Sequence, residues 1–479
     1  MHTILVILIL YICILEIESK ITSKSLLKGS KLSLKYSNKN SNRKNAYMIS
    51  NAKKLDLKSD KIEEKRKQLL HVRLLFFSFY CTLGCCLPYY PVYYRKKGVS
   101  ENMIGMLGSI TPTVTFIISP LWGGLADTTG AYRLIMLLTF ISSVVFRSTI
   151  IFEKVTTTMS LMILNVIGTA ILNAPVKPLM DNAIMSVLDD KEDYGKSRLF
   201  GQLGFGLGSY LIGPFMAQDI NNIFFMHALL AIPTSVLMTL FKQSKNIEDT
   251  NKFGLFQRAP RTKQQVANAL GAVLRKKEII LFFSAVLLVG IASGIIENFA
   301  YVRIMEVGGT PRDMGLCRLL SSIAGGPMFY LSGYLSKVWG TNTIITLTFL
   351  VYTLRFMIYA LLPMNCPLYA IPAEILRGVM WATFWACATY YVYNVAPPEA
   401  TATMLGLLNG TYGGVGQSVG SLIGGQLSRK YGIAGAFKRS AVVSFMCFTV
   451  YLMYGMHKSA GRSMMKTRQH KELKDIKSS

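Results

Sequence analysis

The residues of this sequence that could do chemistry are ionisable side chains inside long apolar segments. Five of them lie at similar depths in four such segments: Glu297, Arg318, Arg355, Glu374 and Arg377. If the segments cross a bilayer, each charge there costs at least ~2.5 kcal/mol, so it faces the protein interior and is paired or functional. Arginine keeps its charge, whereas a carboxylate in a dry cavity can exchange an arginine partner for a proton. We therefore predict that Glu297 or Glu374 carries a proton, with Arg355 or Arg377 as the displaced partner.

A second pair of opposite charges lies in the fourth apolar segment. Lys177 and Asp181 are one helical turn apart, so their side chains share a face and can neutralise each other. Asp181 could also pair with Arg198 at the start of the next segment. Such a pairing would hold a gate at the inner end of the molecule, and a purely structural ion pair is the alternative.

Aromatic rings and amide side chains in the same segments suit a polar organic ligand. Trp381 and Trp385 are one turn apart and face the same way, so both can stack on a sugar or a nucleobase. Belts at the membrane interface are the alternative use of such rings. The predicted binding residues of this kind are Gln202, Phe205, Asn298, Trp381, Trp385, Asn409 and Gln417.

The composition indicates that these residues are positioned by elements inside a membrane. Of 479 residues, 51% are apolar and 16% are charged, and the mean hydropathy is +0.37. These values exclude a typical soluble enzyme. The net charge of +27 does not indicate a nucleic-acid partner, because most of it falls in three segments outside the apolar stretches: 19–68, 242–278 and 457–479.

From residue 69 onward the chain divides into twelve apolar segments of helical length, numbered spans 1 to 12. Backbone polar groups in hydrocarbon must be satisfied within the segment, so we predict an all-α membrane protein. The spans lie near 69–94, 103–122, 132–151, 159–187, 199–217, 223–241, 279–301, 313–335, 342–362, 366–393, 403–426 and 437–456.

This arrangement predicts two six-helix halves, 69–241 and 279–456. A basic linker at 242–278 joins them, and a basic tail follows at 457–479. With twelve spans, all three basic segments lie on one side, which the positive-inside rule places in the cytosol.

The leader contains two further segments. Residues 1–18 include a short apolar run, typical of a signal peptide or a signal anchor. Residues 19–68 are basic and polar, which predicts disorder. Together they resemble the two-part leaders of plastid proteins in protists with secondary plastids. A plastid membrane is therefore one predicted location, and a plasma membrane or endomembrane is the other.

Two glycine motifs repeat along the chain. Gly123 and Gly130 after span 2 recur as Gly333 and Gly340 after span 8, an offset of 210. The second set, at an offset of 212, pairs Gly201, Gly204, Gly208 and Ser209 of span 5 with Gly413, Gly416, Gly420 and Ser421 of span 11. Two repeats with nearly equal offsets indicate pseudo-symmetric halves, as in many transporters. Small residues at this spacing allow helices to approach and slide, or to pack statically.

The segment GGLADTTGAYR, Gly123 to Arg133, resembles the signature loop of the major facilitator superfamily. The resemblance implies that Asp127 and Arg133 help to lock spans 2 and 3 on the cytosolic face, as part of an inner gate. Thr128 stands where that family usually has a basic residue, so the lock is expected to be weaker.

A second stretch, Tyr194 to Phe205, resembles span 5 of the branch that includes lactose permease and nucleoside/proton symporters. Arg355, Arg377 and the glycine-rich span 11 resemble the same branch and its vertebrate orphan relatives. The resemblance covers about 70–456 and implies a twelve-helix fold with substrate contact at Arg198. Arg377 takes the place of a histidine in lactose permease, which changes the coupling route.

These observations predict a secondary transporter of a small polar solute, coupled to protons and working by alternating access. A receptor or scaffold without net transport is the alternative. The sequence has no P-loop and no H-E-x-x-H motif, so we expect no enzymatic activity, cofactor or metal. We expect a monomer surrounded by lipid, with the eight cysteines serving as packing residues.

Overall fold

The computed structural model describes residues 66–187, 193–241, 271, 275–397 and 400–478. The described residues form helices, turns and short connections, without strands. The predicted signal segment, the basic leader up to residue 65 and most of the linker 242–278 lie outside the described residues.

Six helices correspond to the first predicted half. They are α1 (Arg66–Lys96), α2 (Glu101–Thr129), α3 (Tyr132–Ser148), α4 (Met159–Asn173, continued as Val176–Val187), α5 (Asp193–Gln218) and α6 (Asn222–Leu240). A turn at Cys85 and Cys86 interrupts α1 ahead of a short 3-10 turn. A short surface helix, Glu153–Thr157, joins α3 to α4.

The second half contains longer continuous runs. The helices are α7 (Lys277–Glu306), α8 (311–339), α9 (341–360), α10 (Ile371–Val395), α11 (401–431) and α12 (433–478). Gly340 separates α8 from α9, and Gly432 separates α11 from α12, each with a positive φ. Within α11, residues Gly410–Gln417 form a π-helical segment.

Length and composition support crossing of a membrane. Within the described ranges, eight helices are long and apolar enough to span one, and α11 and α12 count there as a single run, Thr403–Met456. The helices that do not qualify by composition are α5, α8 and α10, which carry several charged and polar residues of the candidate site. Polar side chains lower the mean hydropathy of a helix that faces the interior of a bundle.

Turn glycines repeat between the halves. Gly98 follows α1 with a φ of 82°, and Gly308 follows α7 with a φ of 87°. Gly130 after α2 and Gly340 after α8 repeat the pattern, with φ values of 65° and 73°. Left-handed backbone favours glycine, and both pairs have the offset of 210 found in the sequence.

Helix packing repeats at the same offsets. In the first half, a Cβ on Gly208 of α5 would collide with the carbonyl oxygen of Cys81 in α1. In the second half, a Cβ on Gly420 of α11 would collide with the carbonyl oxygen of Ile291 in α7. The repeated glycines therefore place α5 against α1 and α11 against α7 in the same way.

The two halves contact each other along the helix pairs α5–α8 and α2–α11, and α1 also meets α7, where the ring centres of Tyr89 and Tyr301 lie 5.8 Å apart. Gly315 of α8 lies against Ser209 and Tyr210 of α5. Thr113 of α2 donates a hydrogen bond to Ser418 of α11 at 2.8 Å. On the predicted topology, these contacts join the halves in the middle and outer parts of the bundle.

Candidate functional site

Glu297 of α7 lies at the centre of a cluster of arginines from three neighbouring helices. Its Oε1 accepts a hydrogen bond from Arg377 Nε of α10 at 2.7 Å. Its Oε2 accepts one from Arg318 Nη2 of α8 at 3.1 Å, and Arg355 Nη2 of α9 lies 3.5 Å from Oε1. Hydrogen bonds between ionised groups are stronger than neutral ones, so Glu297 ties four helices together.

Glu374 of α10 forms the second acidic centre. Its Oε1 accepts hydrogen bonds from Tyr359 Oη at 2.8 Å and from Arg355 Nη2 at 3.4 Å. Its Oε2 lies 3.9 Å from Arg318 Nη1, which is an ion-pair distance without a hydrogen bond. The Glu374 side chain is 2% exposed, against 27% for Glu297. The two carboxylates share Arg318 and Arg355 but differ in access.

Close helix packing fixes the guanidinium groups. A Cβ on Gly378, the residue after Arg377, would collide with the carbonyl oxygen of Ser321 in α8. Arg377 Nη1 donates to Ser321 Oγ at 3.3 Å, and Arg355 Nε donates to the carbonyl oxygen of Ala373 at 3.1 Å. The absence of a side chain at residue 378 thus brings α10 close enough to α8 for Arg377 to contact Ser321.

A narrow cavity adjoins the cluster. It contains about 310 Å³ of empty space, counting its open parts, but only about 10 Å³ of it can hold the centre of a water molecule. This is room for roughly one water. The lining residues with charged or aromatic side chains are Glu297, Tyr352, Arg355, Arg377, Trp381 and Phe384. An organic solute needs these helices to move apart before it can reach Glu297.

The first half reaches the cluster through Phe205 of α5. The Arg318 guanidinium lies 5.4 Å from the ring centre of Phe205 and 5.4 Å from that of Tyr301 in α7. Cations at this distance from an aromatic face are attracted to it. The sequence prediction included Phe205 but omitted Arg318 and Tyr359 as site residues. The only signal for Arg318 was a charge early in span 8.

Other predicted binding residues lie between α7 and α11. Asn298 Nδ2 donates to Ser421 Oγ at 2.7 Å, and Gln417 Nε2 donates to Ser293 Oγ at 3.3 Å. Trp381 lines the cavity, whereas Trp385 packs against Tyr412 with the ring centres 5.5 Å apart. Asn409 is exposed and bonds to the carbonyl oxygen of Leu405 in its own helix, so the structure does not bring it to the cluster.

Three charged residues that were predicted for the first half, Lys177, Asp181 and Arg198, form a group separate from the Glu297 cluster. Lys177 interacts electrostatically with Asp181 and Arg198, and Tyr80 of α1 interacts with the same two residues. Lys177 is exposed. Gln202, one turn beyond Arg198, faces Gly325 of α8, where an added Cβ would lie 3.3 Å from its Nε2.

The loop between α2 and α3 contains the remaining predicted gate residues. Asp127 Oδ1 accepts a hydrogen bond from Tyr132 Oη at 2.8 Å, and Arg133 Nη1 donates to the carbonyl oxygen of Phe241 at 3.4 Å. Asp127 therefore binds α3 through a tyrosine, while Arg133 connects α3 to the end of α6.

Comparisons with known proteins agree with this architecture. A family model described as "MFS_1 like family" matches residues 69–439. Maltose permease of Geobacillus stearothermophilus is 24% identical over 387 residues, which cover 79% of this chain and 93% of the permease. Major facilitator superfamily domain-containing protein 6-like protein B of Xenopus laevis is 25% identical over 59% of this chain and 46% of its own length. The crystal structure of nucleoside transporter NupG has a TM-score of 0.66 at 15% identity, covering 81% of this chain and 98% of that one.

Proposed function

Because this chain belongs to the MFS_1 like family, within the major facilitator superfamily, we propose that it is a proton-coupled secondary transporter of a small polar organic solute. The all-helical fold and the similarity to solved transporters identify it as an integral, multi-pass membrane protein. The proposal adds the coupling ion and the general class of solute.

The observation that carries the proposal is the arrangement of Glu297. It contacts three arginines on three helices and lines the cavity, so its charge state determines how α7 is held against α8, α9 and α10. When Glu297 takes up a proton, it loses its negative charge and its ion pairs with these arginines weaken. Proton binding and helix rearrangement are thereby linked.

Alternating access requires the two halves to separate on one side at a time. The contacts of α5 with α8 and part of the contact of α2 with α11 are made by small residues, such as Ser209 with Gly315 and Thr113 with Ser418. Small residues allow close approach without interlocking side chains. These pairs are suited to the rocking of one half against the other.

We expect the variant Glu297→Gln to lose coupling while keeping substrate exchange. The wild-type protein would be reconstituted in vesicles, and uptake of labelled sugars, nucleosides and carboxylates would be measured with an inward proton gradient. Wild type should concentrate a solute and lose this ability when a protonophore is added. Glu297→Gln should still equilibrate and exchange that solute, because glutamine cannot carry the proton.

Glu306→Gln is the matched control, since Glu306 pairs with Arg303 at the end of the same helix, away from the cavity. This variant should concentrate the solute as wild type does. Concentrative uptake by Glu297→Gln would show that Glu297 does not carry the coupling proton.

A further inference from the structure

We infer that the solute is an organic anion, recognised by Arg377 in place of Glu297. This inference rests on the proposed function and specifies the solute class of the same site. A carboxylate attached to an apolar or aromatic body matches the chemistry of the residues that line the cavity, once the helices have moved apart to admit it.

The cluster carries a surplus of positive charge. Three arginines surround two glutamates, Glu297 and Glu374, which leaves one positive charge without a counterion among the described residues. Arg318 is 5% exposed, yet its Nε and Nη1 have no hydrogen-bond partner in the described part of the chain. An uncompensated charge away from water is costly, so the cluster favours binding of an anion.

Arg377 is the arginine that an entering anion can reach. Its side chain is 17% exposed, compared with 3% for Arg355 and 6% for Arg318, and it lines the cavity. A guanidinium presents parallel N–H groups that match a carboxylate, so a solute carboxylate can replace Glu297 as its partner.

The uncharged residues that line the cavity indicate the chemistry of the part of the solute that lies beyond its carboxylate. Beside the charged groups, the cavity is bounded mainly by apolar and aromatic residues: Val289, Val351, Met380, Trp381 and Phe384. Such surfaces bind a hydrocarbon or aromatic ring. A neutral sugar would leave the surplus positive charge in place, whereas an anion would neutralise it.

Anion binding also supplies the link to the proton. When the solute carboxylate pairs with Arg377, it first neutralises the surplus charge, and Glu297 is left with Arg318 and Arg355 as partners. Loss of the 2.7 Å partner makes protonation of Glu297 less costly, and a proton taken up there returns the cluster to its original net charge. One negative charge and one proton then move together, and no covalent bond is made or broken. For a solute with a single carboxylate, the cycle is electrically neutral.

Thermal stabilisation of the purified full chain at pH 7.5 tests the inference with matched pairs of probes. Each pair joins a carboxylate to a neutral analogue of nearly equal shape: benzoate with benzamide, nicotinate with nicotinamide, and pantothenate with pantothenol. At least one carboxylate should raise the Tm, and its neutral partner should not. Stabilisation by neutral probes alone, or by no carboxylate, would overturn the inference.

Two variants identify the binding group. Arg377→Gln should weaken carboxylate binding by about tenfold or more, since hydrogen bonds to charged groups are strong. Glu297→Gln should bind the carboxylate more tightly than wild type, because the competing carboxylate is gone, and a misfolded protein would not show such a gain. Arg303→Gln, a change outside the cavity, should bind as wild type does. Unchanged binding in both cluster variants would place the anion elsewhere.

The two proposals can fail separately. If a neutral solute is concentrated with protons, the solute class is wrong and the proposed function stands. If a carboxylate binds at Arg377 but is not transported, the anion site stands and transport fails.

Discussion

At the residue scale, Glu297 and Glu374 differ in how they are held, although both contact Arg318 and Arg355. Glu374 is almost fully buried and accepts a hydrogen bond from Tyr359. Glu297 is partly exposed at the cavity and depends on arginines alone. Removing one partner of a buried charge is costly, which suits Glu374 to holding the cluster and Glu297 to exchanging partners.

Tyr359→Phe is expected to destabilise the protein. The substitution keeps the ring but removes the hydroxyl that donates to Glu374 Oε1 at 2.8 Å. Hydrogen bonds to charged groups contribute about 1.5–3 kcal/mol, so the Tm in detergent should fall.

Tyr301→Phe provides the control within the same cluster. The Tyr301 hydroxyl is buried and has no hydrogen-bond partner among the described residues, so its removal should leave the Tm unchanged or raise it. If Tyr359→Phe and Tyr301→Phe lower the Tm by the same amount, the hydrogen bond from the Tyr359 hydroxyl to Glu374 does not contribute specifically to stability.

At the element scale, the repeated glycines make the same helix contact in each half. Gly208 brings α5 against α1, and Gly420 brings α11 against α7, each at a backbone carbonyl group. The pairs α1–α5 and α7–α11 are therefore equivalent elements, and each depends on the absence of a side chain.

Gly208→Ala and Gly420→Ala should both lower the Tm and the yield of folded protein. A methyl group at either position collides with backbone rather than with a mobile side chain, so the helices must separate. Gly406→Ala in α11 is the control, because nothing lies near an added Cβ there. That variant should be as stable as wild type or slightly more stable, as alanine favours helix. A stable Gly208→Ala protein would contradict the tight contact.

The helices and the presence of a charged cluster could largely be predicted from the sequence. The pairing of individual residues within the cluster could not. Apolar length placed most helix ends within two helical turns, although α12 continues to residue 478, well beyond its predicted end at 456. The depth of Glu297, Arg355 and Glu374 in their spans predicted that they would meet. Which arginine contacts which carboxylate depends on helix rotation, so Arg318 was recognised as a charge at the same depth but was given no role in the site. Asn409 precedes the π-helical segment, where an α-helical face can no longer be extrapolated.

At the scale of the whole molecule, the halves are joined by the helix pairs α2–α11, α5–α8 and α1–α7, in the middle and predicted outer parts of the bundle. Thr113 of α2 and Ser418 of α11 are hydrogen-bonded at 2.8 Å, and α5 contacts α8 through Gly315. Opening of the outer side would have to separate all three pairs.

A disulfide between Thr113→Cys and Ser418→Cys should stop transport. The two hydroxyl groups are close enough that cysteines there can be bridged by mild oxidation. The bridged protein could not separate α2 from α11, so uptake into vesicles should fall to background and return after reduction. Each single variant, oxidised in the same way, controls for the native cysteines. Full uptake by the bridged protein would refute separation at this pair.

The π-helical segment of α11 also has a consequence for insertions and deletions. A π-helical turn accommodates one residue more than an α-helical turn, and such turns are tolerated where they serve function. Deleting the exposed Val415 would let Gly410–Gln417 return to α-helix, and because the shortened segment turns through nearly the same total angle, Ser418 and Ser421 would still face α2 and α7. A deletion elsewhere in α11 has no such bulge to absorb it and would rotate both serines away, so this stretch is where α11 tolerates a change in chain length.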